Sequence, residues 1–273
     1  MTKDELLEQL HSLENSFSAA KNALNNPNAK KEICNKHGEY LSISTSIKGP
    51  YLNLESKTKC PICLQEEINQ VQARLLNHNN TIIANLKKNA QIPPRFESCS
   101  LKNYEVINEG ARKALMLATR YTEKWLDRLA KGGGLIFCGK PGTGKNHLAC
   151  AIANEIIEQH QAKVLLSTAL RIVRDVKTSW NRDSTKTEDE LIKYYARQDL
   201  LIIDEIGVQF GSDAEKIILF EIINTRYENR LPTILISNLS ANELSDYIGE
   251  RVLDRMMEGQ GAIVAFDWES YRK

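Results

Sequence analysis

Two groups of residues in the second half of the chain have the types and spacing needed to bind and cleave a nucleoside triphosphate. The first is a glycine-rich loop, residues 139–146 (GKPGTGKN), directly after the apolar run 135–138. Glycines let successive backbone amides converge on phosphates at a helix N-terminus, and Lys145 supplies a positive charge. The residues expected to bind nucleotide are Gly139, Lys140, Pro141, Gly142, Thr143, Gly144, Lys145, Asn146 and His147.

The second group is a pair of carboxylates, Asp204 and Glu205, at the end of the apolar run 200–203. Adjacent acids at the carboxyl end of a strand beside such a loop form the magnesium and water site of a P-loop ATPase. Asp204 is expected to hold Mg²⁺ and Glu205 to polarise the attacking water. The usual Ser or Thr after the loop lysine is replaced by Asn146, whose amide oxygen can ligate Mg²⁺, but less directly.

Further polar residues could complete this site. Asn238 follows the apolar run 233–237, where it would position the attacking water; the alternative is a strand-ending turn or helix N-cap. Arg251 and Arg255 are four residues apart on a predicted helix and share one face. Either could reach the nucleotide of a neighbouring subunit as an arginine finger, the alternative being an exposed helix with paired charges.

A separate set of potential ligands lies near the N-terminus, where Cys34 and His37 form a Cys-x₂-His pair and Cys60 and Cys63 a Cys-x₂-Cys pair. Thiolate and imidazole are preferred ligands of Zn²⁺, and four protein ligands mark a structural site. Gly38 permits a tight turn after His37. A redox Cys60–Cys63 pair and unpaired thiols are the alternatives. Of the remaining cysteines, Cys138 and Cys150 are predicted to pack in the core.

The elements that position these residues fall into two predicted domains. Short aliphatic runs at 135–138, 164–167, 200–204, 233–237 and 262–266 alternate with helical patterns, which predicts an α/β fold with a five-stranded parallel sheet. Ahead of it, apolar spacing predicts helices near residues 6–17 and 64–90, with a loop-rich segment between Cys34 and Cys63. Pro93 and Pro94 end the second helix, so we predict domains 1–91 and 92–273.

Composition narrows the functional classes. Lys plus Arg number 36 against 35 Asp plus Glu, so any nucleic-acid contact must come from a local basic patch. No apolar run reaches the ~20 residues of a membrane helix, and no signal-peptide core follows the N-terminus. A cytoplasmic protein with no membrane partner is expected. Six cysteines in 273 residues are too few for a disulfide scaffold.

Four motifs together resemble the DnaC-type helicase loaders, AAA+ ATPases that deliver the replicative ring helicase to single-stranded DNA. They are residues 139–148 (GKPGTGKNHL), 203–208 (IDEIGV), 249–256 (GERVLDRM) and 266–272 (FDWESYR). The resemblance runs from about Ile92 to the C-terminus. Asn146 is itself part of the DnaC pattern. The family fold implies an αβα domain without the usual helical lid, self-associating through its ATPase domains on the helicase.

The resemblance also implies roles for single residues. Lys145 corresponds to the phosphate-binding lysine, Asn238 to the first sensor and Arg272 to the second-sensor arginine, and Arg255 is preferred over Arg251 as the finger. Residues 170–195 correspond to an extra helical element that contacts single-stranded DNA in these loaders. Its expected DNA-binding residues are Arg171, Arg174, Lys177 and Trp180, with Arg182 and Lys186 nearby. The alternative is a solvated helix, since residues 188–190 are acidic.

The N-terminal ninety residues resemble the zinc-containing domains of DnaI-type loaders and prophage relatives, which implies a helicase-binding module. The whole chain is therefore interpreted as an ATP-dependent loader that binds a DnaB-type replicative helicase and single-stranded DNA. Hydrolysis would release the loader and would be slow and stimulated by single-stranded DNA. The implied cofactors are ATP or ADP, Mg²⁺ and Zn²⁺. The alternatives are an IstB-type transposition ATPase and a nucleotide-binding adaptor with little turnover.

Overall fold

The computed structural model describes residues 1–48, 53–181, 183–207 and 213–271. The chain divides into two compact units, Met1–Ile82 and Ile83–Lys273. Within the described residues, no helix is both long and apolar enough to cross a lipid bilayer.

The N-terminal unit combines helices with two antiparallel hairpins. Helix α1 (Lys3–Asn22) begins at a capping box in which Thr2 and Glu5 bond each other's backbone amides. The hairpins pair β1 (Lys30–Cys34) with β2 (Gly38–Ser42) and β3 (Ser44–Lys48) with β4 (Asn53–Lys57), and helix α2 (Pro61–Asn89) follows. The prediction of a loop-rich segment was wrong here. Strands β1 and β2 have one buried residue between them, the polar Ser42, so they lack the apolar alternation that identifies a half-buried strand.

The apolar core of the N-terminal unit is small. Its buried apolar side chains, among the described residues, are Leu6, Ala20, Ala23, Cys60, Leu64, Ile68 and Val71. So few large aliphatic groups give little stabilisation from burial, and a unit of this size generally needs an additional constraint such as a metal.

The division between the units falls inside α2. Ile83 and Leu86 pack against the core cluster of the second unit, and the Ala90 carbonyl accepts a hydrogen bond from the Leu166 backbone amide (2.9 Å). The sequence placed the boundary at residues 91–92 because prolines must end the helix there. The two placements differ because the last turns of the helix pack on the unit that follows.

The second unit is built on a five-stranded parallel sheet, as predicted. Its strands are β5 (Leu135–Gly139), β6 (Val164–Thr168), β7 (Leu200–Ile206), β8 (Thr233–Ser237) and β9 (Ala262–Phe266), in the order β6-β7-β8-β5-β9. Every residue of β5 and β8 is buried, as expected for strands covered on both faces.

Helices cover both faces of the sheet and complete three layers. They are α3 (Glu109–Glu123), α4 (Trp125–Lys131), α5 (Lys145–His160), α6 (Ala169–Thr178), α7 (Glu188–Ala196), α8 (Asp213–Glu228), α9 (Ala241–Ile248) and α10 (Glu250–Met257). Successive strand residues point to opposite faces, so Phe137 packs with α3 and α5 while Ile136 packs with α6, α7 and α8. Cys138 and Cys150 are buried in these cores, as predicted.

Arg226 of α8 is fully buried and joins three segments of the second unit. Its Nε donates to Thr233 Oγ1 (2.9 Å) and its Nη2 to the Pro232 carbonyl (2.5 Å), at the start of β8. Its Nη1 donates to the carbonyls of Ala196 (2.9 Å) and Gln198 (2.7 Å), at the end of α7. Burial lowers the pKa of Arg226, and the surrounding oxygen acceptors compensate the cost of burying the charge.

Candidate nucleotide and metal sites

The carboxyl ends of three neighbouring strands bring the predicted nucleotide-binding residues together. Strand β8 lies between β7 and β5, so Asn238 lies between the acids that end β7 and the loop that follows β5. A cavity of about 410 Å³ opens here, and residues 141–147, Asp204, Glu205 and Asn238 line it. Ligands of open α/β sheets bind at this edge.

The glycine-rich loop has a backbone that other residues would disturb. Gly139 has φ +114°, and a Cβ there would lie 2.6 Å from the Phe266 carbonyl oxygen. Gly144 has φ +98°, and a Cβ there would lie 2.8 Å from the Tyr104 ring. Both positions therefore combine a left-handed backbone with close neighbours, and the loop needs glycine at each.

Lys145 is the first residue of α5 and is buried at 5% exposure. Its Nζ donates hydrogen bonds to the carbonyls of Gly139 and Lys140, both at 2.7 Å. The ammonium group therefore lies within the loop, where backbone amides and the N-terminal end of α5 add positive potential.

Asn146 and Asp204 form a direct hydrogen bond, with Nδ2 donating to Oδ2 over 2.7 Å. A carboxylate only accepts, so the amide nitrogen must face Asp204 and the amide oxygen is the end left to ligate a cation. Burial raises the pKa of Asp204, while hydrogen bonds from the Glu205 amide and from Asn146 act in the opposite direction. A divalent cation would favour the ionised form.

An irregularity in β7 gives the side chains of Asp204 and Glu205 different surroundings. The register between β7 and β8 shifts between Ile203 and Ile206, and Glu205 has φ +60°. A bulge of this kind redirects side chains, and strained backbone of this type is concentrated at functional sites. Here Asp204 is half-buried beside Asn146, whereas Glu205 is exposed in the cavity.

An aromatic wall of the cavity was missed from the sequence. Tyr104 and His147 meet edge to face, with centroids 5.3 Å apart, and the Trp268 indole nitrogen donates to the Thr143 carbonyl (3.1 Å). The Tyr271 backbone amide donates to the Gly142 carbonyl (2.8 Å). Trp268 and Tyr271 lie within the quoted motif 266–272, but aromatic type alone does not distinguish a cavity wall from a core position.

The side chains of two predicted nucleotide-binding residues, Lys140 and His147, contact other groups of the protein. The Lys140 ammonium pairs with Glu269 (2.7 Å), and its backbone amide donates to the Phe266 carbonyl (2.9 Å). His147 lines the cavity and its Nε2 contacts the Ser100 carbonyl (3.2 Å) and Asn103 Oδ1 (3.0 Å). These contacts tie the loop and α5 to flanking segments of the same unit.

The two predicted finger arginines, Arg251 and Arg255, do not line this cavity. Arg255 lines a second cavity of about 250 Å³, and its guanidinium lies 5.3 Å from the Phe220 ring centroid and 5.4 Å from that of Tyr227. Arg251, four residues earlier on α10, is exposed. Arg272 lies outside the described residues.

The predicted DNA-binding residues lie on or just after α6. Arg171 and Arg174 are exposed, and Trp180 is 54% exposed. Two acids contact this surface, since Lys177 pairs with Glu215 (3.1 Å) and the Trp180 indole donates to Glu188 (2.8 Å). Arg182 lies outside the described residues. Of the four predicted DNA-binding residues, Arg171 and Arg174 are therefore the exposed basic groups.

The four predicted zinc ligands converge in the N-terminal unit, with their ligand atoms all within 4.8 Å of one another. Cys34 Sγ lies 3.5 Å from Cys63 Sγ, and His37 Nδ1 lies 3.6 Å from Cys34 Sγ, 3.7 Å from Cys60 Sγ and 3.3 Å from Cys63 Sγ. Tetrahedral Zn²⁺ with ordinary bond lengths separates two sulfurs by about 3.8 Å and sulfur from nitrogen by about 3.6 Å. The donor set and its spacing fit zinc.

One thiol of this cluster, that of Cys34, has a lowered pKa. Hydrogen bonding, chiefly from the Lys36 backbone amide, lowers the pKa of Cys34 to about 6. The hydrogen bond between the thiols of Cys34 and Cys63 is the main cause that raises the pKa of Cys63 to about 11. A lowered pKa favours the thiolate, the form in which cysteine ligates a metal.

Comparison with known proteins identifies the family. The profile of the IstB-like ATP binding proteins matches residues 62–273. The replicative helicase loader DnaC of Escherichia coli K12 is 41% identical over 181 residues, covering 66% of this chain and 72% of the relative. The chain is a DnaC-type member of the IstB-like ATP-binding family. DnaC of Buchnera aphidicola from Schizaphis graminum is 39% identical over 178 residues, covering 65% of this chain and 71% of that one.

Solved structures show the same fold for the DnaC-type unit. The crystal structure of a DnaC helicase loader superposes with a TM-score of 0.57 at 22% identity, covering 64% of this chain and 100% of that chain. DnaI gives 0.55 at 23% identity, covering 64% and 94%. AMPPCP-bound DnaA from Aquifex aeolicus gives 0.53 at 26% identity, covering 66% and 52%. The second unit is an AAA+ P-loop domain.

Proposed function

We propose that this chain is an ATP-dependent loader of a DnaB-type replicative helicase. The observation that carries the ATPase part is the Asn146–Asp204 hydrogen bond, which joins the phosphate loop and the acids around one cavity. The loader part is supported by the relatives named replicative helicase loader DnaC, whose similarity covers 66% and 65% of this chain. Hydrolysis would release the loader from the helicase.

Each cavity residue has a defined task in the proposed hydrolysis. Lys145 and the loop amides bind the phosphates of ATP, and Asn146 and Asp204 would hold Mg²⁺, which neutralises phosphate charge when bound. Glu205 orients the attacking water, because its carboxylate is exposed in the cavity. Asn238 reaches the same space from β8 and positions that water from the other side.

Two arginines are proposed to complete the site. Arg255 would act on the nucleotide of a neighbouring copy, where a guanidinium stabilises charge in the transition state. It must leave the Phe220 and Tyr227 rings to do so, whereas the exposed Arg251 needs no such rearrangement. Arg272 is proposed as the second sensor. Self-association through the ATPase domains follows from these roles.

The basic surface of α6 is proposed to bind single-stranded DNA and to stimulate a slow basal ATPase. Arg171 and Arg174 can follow phosphates while the exposed Trp180 stacks on a base. Nothing in this set reads a base edge, so the contact is sequence-independent. Binding of DNA would favour the assembled form in which Arg255 meets a neighbour's nucleotide.

The N-terminal residues, about 1–91, are proposed to form a zinc-binding module that contacts the helicase. Its small apolar core and a four-ligand cluster of suitable spacing support the metal. Zinc would link the β1–β2 turn to the start of α2. Contact with the helicase rests on the resemblance to the zinc-type loaders.

The deciding experiment mixes the full chain with the host replicative helicase and measures complex formation, helicase deposition on circular single-stranded DNA and ATP turnover. We expect a complex, deposition and turnover, with Glu205→Gln retaining ATP binding but losing hydrolysis and loader release. The control is Glu221→Gln, an exposed acid on α8. Binding to a transposase instead of the helicase would favour the IstB alternative. If neither the wild type nor Glu205→Gln hydrolysed ATP, the nucleotide-binding adaptor would be favoured.

A further inference from the structure

Glu66 contacts a zinc ligand from outside the ligand set. His37 faces the three thiols with Nδ1, while its other ring nitrogen, Nε2, lies 3.3 Å from Glu66 Oε1. Glu66 follows Cys63 by three residues on α2, a spacing that places both on one helix face. The same turn of helix therefore supplies a thiol to the cluster and a carboxylate to the ring beside it.

A histidine that ligates metal through Nδ1 carries its proton on Nε2, and this N–H needs an acceptor. A carboxylate in that place fixes the tautomer and the ring orientation and makes the ligating nitrogen more basic. We infer that Glu66 is a positioning residue of the metal site, whose carboxylate accepts the His37 Nε2–H and holds Nδ1 toward the thiols. The inference rests on the proposed zinc site.

Charge alone does not account for the position of Glu66. Zn²⁺ with three thiolates and a neutral imidazole has a net charge of −1, so a further carboxylate gains nothing from general attraction to the filled site. Glu66 has a second contact with Lys36, at 3.9 Å between Nζ and Oε2, and both side chains are well exposed. Exposed pairs at this distance contribute little, whereas a directed hydrogen bond to a ligand acts on the metal itself.

The test measures zinc affinity of the full-length protein by competition with a chromophoric chelator. We expect Glu66→Ala to bind zinc about 10–100-fold more weakly, the range seen when partners of ligating histidines are removed. Glu66→Gln keeps a neutral acceptor and should lose less. Glu67→Gln is the matched control, because Glu67 is on the same helix, is similarly exposed and contacts Lys59 at 4.0 Å. It should bind zinc as the wild type does.

Two further readouts separate positioning from a general effect. In Co²⁺-substituted protein, Glu66→Gln should shift the visible absorption bands that report the ligand field, and Glu67→Gln should not. Lys36→Gln, which removes the second contact of Glu66, should leave zinc affinity near the wild-type value. If Lys36→Gln weakened zinc binding as much as Glu66→Ala, the ion pair rather than the ring contact would be responsible, and the inference would be wrong.

The failure of this inference is distinguishable from failure of the zinc proposal. Wild-type protein with stoichiometric zinc and a Glu66→Ala variant of unchanged or higher affinity would overturn the role of Glu66 alone. Folded wild-type protein that holds no zinc when purified and takes up none on titration would overturn both.

Discussion

Asn146 donates from its side-chain amide to Asp204 over 2.7 Å, so one hydrogen bond joins the first turn of α5 to the end of β7. A Ser or Thr hydroxyl, the usual group at this position, is shorter and can itself ligate Mg²⁺. In the proposed site, Asn146 divides the two tasks between its two ends, because its nitrogen donates to the carboxylate and its oxygen is left to ligate Mg²⁺. The replacement is therefore compatible with hydrolysis.

Removing this amide should weaken magnesium-dependent binding. Asn146→Ala removes the donor to Asp204 Oδ2 and leaves this half-buried carboxylate with the hydrogen bond from the Glu205 amide, at a cost of about 1–3 kcal/mol. We expect ATP affinity with Mg²⁺ to fall about tenfold, whereas Asn146→Thr should retain most of it. Isothermal titration with Mg²⁺ and with EDTA checks this. An equal loss for Asn146→Ala under both conditions would show that Asn146 does not act through the metal.

The raised pKa of Asp204 makes nucleotide-free stability depend on pH. Burial penalises the ionised carboxylate, so stability is greatest when Asp204 is protonated and falls as pH rises through its folded-state pKa. Without Mg²⁺ or nucleotide, Asp204→Asn should therefore melt a few degrees above wild type at neutral pH. The difference should disappear in acid. Calorimetry across pH measures it, with the exposed Asp246→Asn as control; equal melting at neutral pH would contradict the argument.

Crowding around Gly144 predicts a specific loss of nucleotide binding. Gly144→Ala places a methyl group 2.8 Å from the Tyr104 ring, on a backbone with φ +98°. We expect nucleotide affinity to fall at least tenfold. Gly249→Ala is the comparison, because Gly249 also has positive φ (+87°) but has nothing within 4 Å of its added Cβ. It should lower stability by about 1–3 kcal/mol and leave ADP affinity unchanged. Unchanged affinity in Gly144→Ala would mean that the loop can adapt.

Zinc removal should unfold only the N-terminal unit. Cys60→Ser deletes one of four ligands, and we expect elemental analysis to show loss of stoichiometric zinc while ATP still binds. Proteolysis should then cut within residues 1–60. Cys99→Ala, a buried cysteine of the second unit, should keep its zinc. Full zinc occupancy in Cys60→Ser would exclude Cys60 as a ligand.

The proposed DNA surface predicts a change in salt dependence. Removing two phosphate contacts with Arg171→Ala/Arg174→Ala should reduce the slope of log affinity against log salt by about 1.4 for single-stranded DNA. Arg112→Ala/Lys113→Ala removes two exposed charges from α3 and serves as the control. Fluorescence anisotropy on an oligothymidylate at several salt concentrations measures both. Equal slopes in the two variants would place the DNA elsewhere.

The sheet and the cavity at the carboxyl ends of its strands could be predicted from the sequence, because each depends on residues that are close together in the chain. Strands buried on both faces read as aliphatic runs, and all five runs became strands. The glycine loop and the Asp204–Glu205 pair each end such a run, so their meeting at one edge follows from parallel pairing. The cluster of candidate metal ligands could be predicted equally well, since Cys34, His37, Cys60 and Cys63 form two pairs with typical ligand spacing.

Features that depend on contacts distant in sequence could not be predicted. The aromatic wall contains Tyr104, Trp268 and Tyr271, and most of the sequence of the second unit lies between Tyr104 and the other two. No local sequence pattern indicates that these residues lie close together. The hairpin β1–β2 is too exposed to show an apolar period. Glu66 is one of many exposed acids on a long helix, and only the placement of His37 distinguishes it.

The buried guanidinium of Arg226 connects α7 to β8. It holds the last turn of α7, next to the proposed DNA surface, against the first residues of β8. That strand is only five residues long, and Asn238 follows its far end. In the proposed function, a shift of α7 on binding DNA would therefore displace β8 and, with it, Asn238, the residue proposed to position the attacking water.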